Sequence, residues 1–199
     1  MMLYKPVNLK CFEIIQKEVS EYMKKFKESN LVFAPAISQE LRNTVNKELG
    51  ALGFAEVFDI LLFKRRGPPR SENMCHMDGD KDILTSTSLI VPVSGCKGTA
   101  QYWYGGPYET VIQSYTPPGS KQATATYRGV KWNGPAEYLG EVEIFEQPYL
   151  TRVDLPHGAY DNGKEDRITI TFRFKNNIPF EDACKLFDTQ KDTDEKDFL

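Results

Sequence analysis

The sequence predicts a mainly β protein with helices at its N-terminal end, and three observations support this fold class. Residues 1–53 contain two amphipathic stretches with helical spacing. From residue 55 onward, short runs of β-branched and aromatic residues alternate with turn clusters of glycine, proline and asparagine. The 199 residues are 40% hydrophobic and 12% aromatic, which is sufficient for one packed core. Helices followed by many short strands are typical of a β-sandwich or barrel with helices packed on one side.

Two helices are expected before the strands. The first carries one apolar stripe with residues three and four apart, formed by Leu9, Phe12, Ile15, Val19, Tyr22 and Phe26. Asn8 is the expected N-cap of this helix, which should fade near Ser29. The second helix is expected to begin after the cap candidate Ser38 and to end at Gly50 or Gly53.

Roughly seven to nine short strands are expected in the rest of the chain. They fall within 57–63, 74–78, 85–93, 101–104, 109–115, 123–131, 137–145, 150–154 and 167–174. No internal repeat or linker divides the sequence, so we expect a single domain over residues 1–187. Residues 188–199 are polar and are expected to form a loose tail.

The composition argues against several classes of protein. The longest apolar run, 60–63, is far too short to span a membrane, and the first residues lack the apolar core of a signal peptide. With 25 basic and 28 acidic side chains, the net charge of −3 creates no overall basic field for nucleic acid. The four cysteines show no Cys-x-x-Cys pair, which argues against a zinc ribbon or a disulfide scaffold. We therefore expect a cytoplasmic protein without a membrane partner.

The only two histidines of the sequence, His76 and His157, form a candidate metal site with Asp78. Residues two apart in an extended strand point to the same face, so His76 and Asp78 should project together. A second imidazole from a distant strand would complete a 2-His-1-carboxylate face, which leaves adjacent positions open on ferrous iron. Taken singly, His76 can instead be a half-buried histidine bonded to an acid, and His157 a turn residue after proline.

The predicted strand 167–174 has two chemically different faces. Its polar face carries Arg167, Thr169, Thr171 and Arg173, and its apolar face carries Ile168, Ile170, Phe172 and Phe174. If the polar face lines the cavity that His157 enters, Arg167 can clamp a carboxylate through two parallel hydrogen bonds, and Thr169 can add a hydroxyl donor. The apolar face would then pack against the two N-terminal helices. The alternative is an exposed strand whose arginines lie in water.

The combination of His76-x-Asp78, His157 and Arg167 resembles the iron(II)- and 2-oxoglutarate-dependent oxygenases. The resemblance covers residues 55–176. It implies a double-stranded β-helix, which is a cupin-like jelly roll, with the two N-terminal helices packed on the larger sheet.

The resemblance also implies a reaction and a set of site residues. His76, Asp78 and His157 would bind Fe(II) and form the catalytic centre, while Arg167, assisted by Thr169, would bind the distal carboxylate of the cosubstrate 2-oxoglutarate. The reaction would convert 2-oxoglutarate and dioxygen to succinate and carbon dioxide and would hydroxylate a small molecule or a protein side chain.

Other functions stay open at this point. The pattern Arg167-x5-Arg173 and the acid Asp80, two positions beyond the metal aspartate, resemble AlkB-type nucleic-acid demethylases. Against that resemblance, no Asn-x-Tyr segment precedes the metal motif. The interval between His157 and Arg167 is also shorter than the one that those demethylases usually show. A jelly-roll binding module without redox activity and a cupin-like isomerase are further alternatives.

Three features of the sequence have open roles. The basic run 64–70 either attracts an anionic substrate, including nucleic acid, or is a solvated loop. Four aromatic residues around a tight turn either face a substrate or fill the core, namely Tyr102, Trp103, Tyr104 and Tyr108. Tyr102 and Tyr104 share one face of the strand, from which a hydroxyl could reach the cosubstrate. Arg173 either contacts the other carboxylate of the cosubstrate or makes a structural ion pair. The primary substrate and the oligomeric state are not predicted.

Overall fold

The computed structural model describes residues 1–27, 31–33, 37–65, 70–79, 84–115, 125–144, 147–160 and 165–194. The helices in this part of the chain are α1 (Phe12–Met23), α2 (Gln39–Ala51) and α3 (Phe180–Asp194). The strands are β1 (Tyr4–Pro6), β2 (Leu31–Phe33), β3 (Val57–Arg65), β4 (His76–Met77), β5 (Thr87–Ser94), β6 (Ala100–Gly105), β7 (Tyr108–Tyr115), β8 (Ala125–Trp132), β9 (Glu137–Glu143), β10 (Tyr149–Arg152), β11 (His157–Tyr160) and β12 (Arg167–Phe174).

The described strands form two antiparallel sheets. The first sheet has the order β1-β10-β5-β12-β3-β2, and the second has the order β7-β8-β4-β11-β6-β9. The predicted mainly β fold is confirmed, and the arrangement is compatible with a jelly-roll sandwich. Each sheet contains six of the described strands, and the helices pack on the first sheet.

The hydrophobic core lies between the first sheet and the three helices. Its members include Ile15 and Val19 of α1, Leu41 of α2, and Ile170 and Phe172 of β12. The predicted packing of the apolar face of β12 against the N-terminal helices is therefore confirmed. Among the described residues, no helix combines the length and the hydropathy that a membrane crossing requires.

The two N-terminal helices are capped in different ways. Ser38 caps α2 as predicted, because its hydroxyl oxygen accepts a hydrogen bond from the backbone amide of Leu41 at 3.0 Å. The predicted cap of α1 is wrong. In place of Asn8, the carboxylate of Glu48 in α2 accepts hydrogen bonds from the backbone amides of Lys10 and Cys11 at 2.6 and 2.9 Å. A long-range contact thus replaces the local cap.

The third helix is absent from the sequence prediction. Its buried residues are Phe180, Ala183, Cys184 and Phe187, whose spacing of three and four is itself a helical signal. The helix continues to Asp194, so the expected loose tail from residue 188 is helical over most of its length. Residues 195–199 lie outside the described part of the chain.

The segment that carries the first candidate ligand is less extended than predicted. Instead of a strand over 74–78, a short 3₁₀-helix (Glu72–Met74) leads into the two-residue strand β4. The side chain of Ser71 caps this 3₁₀-helix by accepting a hydrogen bond from the amide of Asn73 at 3.2 Å. The turn before β4 is therefore fixed by its own residues.

Candidate metal centre

The two histidines come together because their strands are neighbours in the second sheet. β4 pairs with β11, and His76 is the register partner of His157. The centroids of the two imidazole rings are 4.6 Å apart. Asp78 follows β4 immediately, and one ligand atom from each of the three residues lies within 4.8 Å of the others. These three residues are close enough to bind one metal ion.

The ring of His157 is held in the orientation that a metal ligand needs. Its Nδ1 lies 2.9 Å from the carbonyl oxygen of Leu155. Since a carbonyl oxygen can only accept, Nδ1 carries the proton, and the neutral ring keeps its lone pair on Nε2. That Nε2 atom lies 3.8 Å from Oδ1 of Asp78, a gap too long for a hydrogen bond.

The carboxylate of Asp78 has one oxygen occupied by the protein and one directed to the histidines. Oδ2 accepts hydrogen bonds from the Ser88 hydroxyl at 3.2 Å and from the Arg173 Nε at 3.3 Å, and Arg173 Nη2 lies 3.0 Å away. Oδ1 lies 3.8 Å from Nε2 of both His76 and His157. The protein thus turns a single carboxylate oxygen toward the two imidazoles.

The electrostatic surroundings keep Asp78 ionised. Burial alone would raise the pKa of this carboxyl, but the guanidinium of Arg173, together with the imidazoles of His157 and His76 in their protonated form, outweighs burial and lowers the pKa to about 2. A carboxylate that is charged at neutral pH is the form that binds a cation. Two imidazole nitrogens and one carboxylate oxygen suit non-haem iron(II) and related divalent ions.

Arg167 and Thr169 lie on the same face of β12 as Arg173, six and four residues away along the strand. Both residues are buried, with 4% of their surface exposed. Arg167 is close to Tyr149 and Cys96. Burial raises the pKa values of both groups, and the positive charge of Arg167 offsets part of that rise. Arg173, six residues further along the same face and roughly 20 Å away along the strand, is the arginine that contacts Asp78.

One side of the space between the sheets is sealed, and we call it the closed half. It is formed by Gln101, Trp103, Tyr149 and Thr151, each at most 2% exposed. Gln101 Nε2 donates to Thr151 Oγ1 at 2.9 Å, and the Tyr149 hydroxyl donates to Gln101 Oε1 at 3.3 Å. Trp103 Nε1 donates to the carbonyl oxygen of Arg152 at 2.8 Å. The two sheets therefore satisfy each other's polar groups here.

On the other side of the candidate metal centre, the inner face of the first sheet is covered less completely. Leu61 and Phe63 pair in register with Thr171 and Thr169 of β12, so they share the inner face of the sheet. Ile90 pairs with Thr171 from the opposite neighbour. All three apolar side chains are only half-buried, although contact between the two sheets would bury them completely.

The β7–β8 hairpin forms the opposite wall of this space. The ring of Tyr127 meets the ring of His76 edge to face, with the ring centroids 6.2 Å apart. The Tyr127 hydroxyl donates to Oε1 of Gln113 at 2.5 Å, and the Gln113 side chain lies over Gly129. Together with the three apolar side chains of the first sheet, Gln113 and Tyr127 line what we call the open half.

Tyr102 packs on the outer face of the second sheet, away from the metal centre. Tyr102 is fully buried, and its hydroxyl donates to the carbonyl oxygen of Ser71 at 3.2 Å. The ring covers Gly158, where a Cβ atom would lie 2.5 Å from the phenolic oxygen. Of the two predicted roles for Tyr102, packing is the one that the structure supports. Tyr104 meets Tyr102 edge to face on the same side of the sheet.

The described ends of the basic run 64–70 are both engaged in contacts. Lys64 is buried, donates to the carbonyl oxygen of Phe26 at 2.9 Å and lies 3.5 Å from Asp166. Arg70 forms an ion pair with Glu141 and lies over the rings of Tyr138 and Tyr160. Residues 66–69 of this run, and Asp80 of the acidic pattern, lie outside the described part of the chain.

Two residues that hold Asp78 were not assigned to the site from the sequence, although an ion pair was one of the two roles predicted for Arg173 and is the contact found. Ser88 sits in β5 and Arg173 in β12, ten and 95 residues from the aspartate that they contact. The alternation of β12 placed Arg173 on the inner face of its strand, but only the stacking of the two sheets shows that this side chain reaches Asp78.

No protein-family model matches this chain, and no curated protein matches its sequence. The case for a metal-dependent function therefore depends on the geometry of His76, Asp78 and His157.

Proposed function

We propose that this protein is an iron(II)- and 2-oxoglutarate-dependent dioxygenase that hydroxylates a small molecule or a protein side chain. The observation that carries the proposal is the mutual approach of His76 Nε2, His157 Nε2 and Asp78 Oδ1. The protein occupies Nδ1 of His157 and Oδ2 of Asp78, so the remaining donor atoms are directed at one cation. This donor set is the one that non-haem iron(II) oxygenases use, and it leaves adjacent coordination positions open.

The strand order supports a double-stranded β-helix as the finer description of the fold. Without the outer strands β1 and β2 and the β7–β8 hairpin, the sheets have the orders β10-β5-β12-β3 and β4-β11-β6-β9. The chain crosses from one sheet to the other at every step from β3 to β12, except between β6 and β9, which pair directly. An eight-stranded jelly roll is wound in this way.

Arg167 and Thr169 are proposed to bind the distal carboxylate of 2-oxoglutarate. A buried guanidinium forms two parallel hydrogen bonds with a carboxylate, and the low local dielectric strengthens both. The half-buried Ile90 lies alongside the inner face of β12 between Arg167 and Arg173, which supports open space along this strand. A dicarboxylate bound at Arg167 would have room to extend toward the metal ligands.

The residues of this chain would act by binding and orienting. Iron(II) would supply the redox chemistry by which dioxygen and 2-oxoglutarate give succinate, carbon dioxide and a hydroxylated substrate. The Leu155 carbonyl would keep His157 Nε2 directed at the ion, and Ser88 and Arg173 would keep Asp78 Oδ1 directed there. The closed half would exclude water from one side of the site.

An anaerobic binding experiment tests this proposal. Iron(II) and 2-oxoglutarate added together to the wild-type protein should give a weak visible charge-transfer band. His157→Ala should abolish the band by removing a ligand, and Arg167→Ala should abolish it by weakening 2-oxoglutarate binding. Arg70→Ala is the matched control, because it removes a cation from the outer face of the second sheet. Absence of the band in the wild-type protein contradicts the proposal.

A second measurement defines the substrate class. Conversion of 2-oxoglutarate to succinate can be followed without a primary substrate and then in the presence of free amino acids, peptides or methylated oligonucleotides. Stimulation by amino acids or peptides supports a hydroxylase. Stimulation only by methylated oligonucleotides would favour a nucleic-acid demethylase instead.

A further inference from the structure

We infer that the inner face of the β7–β8 hairpin recognises the primary substrate, and that Gln113 donates a hydrogen bond to a carbonyl oxygen of a neutral, largely apolar molecule. The inference rests on the proposed function, because it assigns the substrate side of the same site. It names the residues that select the substrate and the chemical class that they select.

The hairpin extends the sheet that carries both histidines. β8 pairs with β4, and Gly129 is the register partner of His76. β7 in turn pairs with β8, so that Val111 lies opposite Gly129 and Gln113 lies opposite Tyr127. Register partners share one face of a sheet, and these side chains therefore project on the same side as the imidazole of His76. A molecule that reaches the metal through the open half passes along this face.

The carboxamide of Gln113 is held so that it can donate. Its Oε1 already accepts the hydroxyl proton of Tyr127 at 2.5 Å. Its Nε2 makes no hydrogen bond to any described residue, and the side chain is exposed. An amide NH₂ group has no acceptor capacity, so its partner must present an oxygen or another acceptor. Tyr127 thus fixes the direction of Gln113, and Gln113 selects for a carbonyl.

Gly129 allows Gln113 to occupy this position. A Cβ atom at Gly129 would collide with Cδ and Nε2 of the Gln113 side chain, and these are the nearest atoms to it. The side chain of Gln113 is flexible and can move aside, so a methyl group here would displace the carboxamide while leaving its chemistry intact. A substitution at Gly129 therefore moves the donor without removing it, whereas a substitution at Gln113 removes the donor.

The rest of the open half indicates a neutral and apolar ligand. Leu61 and Phe63 offer half-buried apolar surface opposite the hairpin, and Val111 offers more beside Gln113. The charged residues on the inner face of the hairpin, Glu109 and Lys131, pair with each other at 2.5 Å. A neutral donor beside apolar walls favours an amide or ester carbonyl next to an aliphatic group.

Ligand binding to the metal-free protein tests the inference independently of activity. The probes are N-acetyl-leucine methylamide as a free small molecule, a doubly blocked leucine-centred hexapeptide, and N-acetyl-leucine, which is anionic. Binding is measured by ligand-observed NMR titration. At least one neutral probe should bind saturably and more tightly than the anion, and the tighter neutral probe shows whether the carbonyl comes from a small molecule or a peptide.

Three variants complete the test. Gln113→Leu removes the donor and should weaken binding of the better neutral probe by about tenfold, and Gly129→Ala should weaken it by a similar factor. Ile112→Ser, on the opposite face of the same strand, is the matched control and should bind like wild type. Melting temperatures show whether each variant is folded.

The outcomes separate this inference from the proposed function. Equal binding by wild type and folded Gln113→Leu, a preference for the anion that persists in Arg167→Ala, where the proposed carboxylate site is absent, or no saturable binding of either neutral probe overturns the assignment of the hairpin. The iron(II) and 2-oxoglutarate band does not involve Gln113, so it should persist in Gln113→Leu. Absence of the band in the wild-type protein contradicts the dioxygenase proposal. It does not change the outcome of the NMR titration with the neutral probes.

Discussion

The closed and open halves lie between the same two sheets but differ in how their polar groups are satisfied. In the closed half, Gln101 bonds to Tyr149 and Thr151, and no atom of these groups depends on a ligand for a partner. In the open half, Gln113 has one partner and remains exposed. The comparison teaches that a glutamine facing the interior stabilises the fold in one place and is available for recognition in the other.

Removing a candidate metal ligand, which lies between the two halves, should have the largest effect. His157→Ala eliminates one of three donors, so the affinity for iron(II) should fall by at least about a hundredfold. Anaerobic calorimetric titration measures this affinity. The melting temperature of the metal-free protein should change little, which distinguishes loss of a ligand from loss of the fold. Unchanged affinity in His157→Ala would show that the imidazole does not bind the ion.

The same substitution in both halves tests the comparison directly. Gln101→Leu leaves the buried hydroxyls of Tyr149 and Thr151 without their partner, so the free energy of unfolding should fall by about 3 kcal/mol. Gln113→Leu exposes no buried group and should change stability by less than about 0.5 kcal/mol. Urea denaturation of both variants provides the measurement. Similar losses in the two variants would contradict the division into a closed and an open half.

Arg173 should influence metal binding more than stability. Arg173→Met removes the guanidinium that holds Asp78 Oδ2, so the affinity for iron(II) should fall by about 10- to 100-fold. Arg173→Lys keeps the charge but loses the planar two-nitrogen contact, and it should restore only part of the affinity. Full affinity in Arg173→Met would mean that Ser88 alone is sufficient to orient Asp78.

Ser88→Ala should produce the smallest effect. The uncharged hydroxyl contributes one hydrogen bond to Asp78, and Arg173 still holds the same oxygen, so affinity should fall by about three- to tenfold. Thr110→Val, on the outer face of the β7–β8 hairpin, is a matched hydroxyl deletion that should leave the affinity unchanged. An effect of Ser88→Ala larger than that of Arg173→Met would reverse the roles assigned to these two residues.

Local patterns in the sequence predicted the parts of the structure that depend on local geometry. The i, i+2 spacing placed His76 and Asp78 together, and the alternation of 167–174 separated the interior of β12 from its helix-packed face. Ser38 was identified as a cap because capping involves residues three apart. The histidine pair was predicted to meet, although the sequence does not encode in any local pattern that β11 pairs with β4.

The parts that sequence analysis missed depend on contacts between distant segments. Glu48 replaces a local cap of α1 from another helix. Arg173 reaches Asp78 because two sheets stack, and strand alternation alone does not determine which of the two arginines of β12 lies at the candidate metal centre. Helix α3 is a different case, because its apolar spacing was visible in the sequence but occupied a segment dominated by charged residues.

The glycine after the second histidine limits how this site can be redesigned. Gly158 lies under Tyr102, which is fully buried and anchored at Ser71, so the ring has no room to move for any larger residue. The residue allowed beside a candidate metal ligand is thus decided by packing on the far surface of the sheet. Directed-evolution libraries that seek altered selectivity should keep position 158 constant and concentrate diversity at Gln113 and Tyr127.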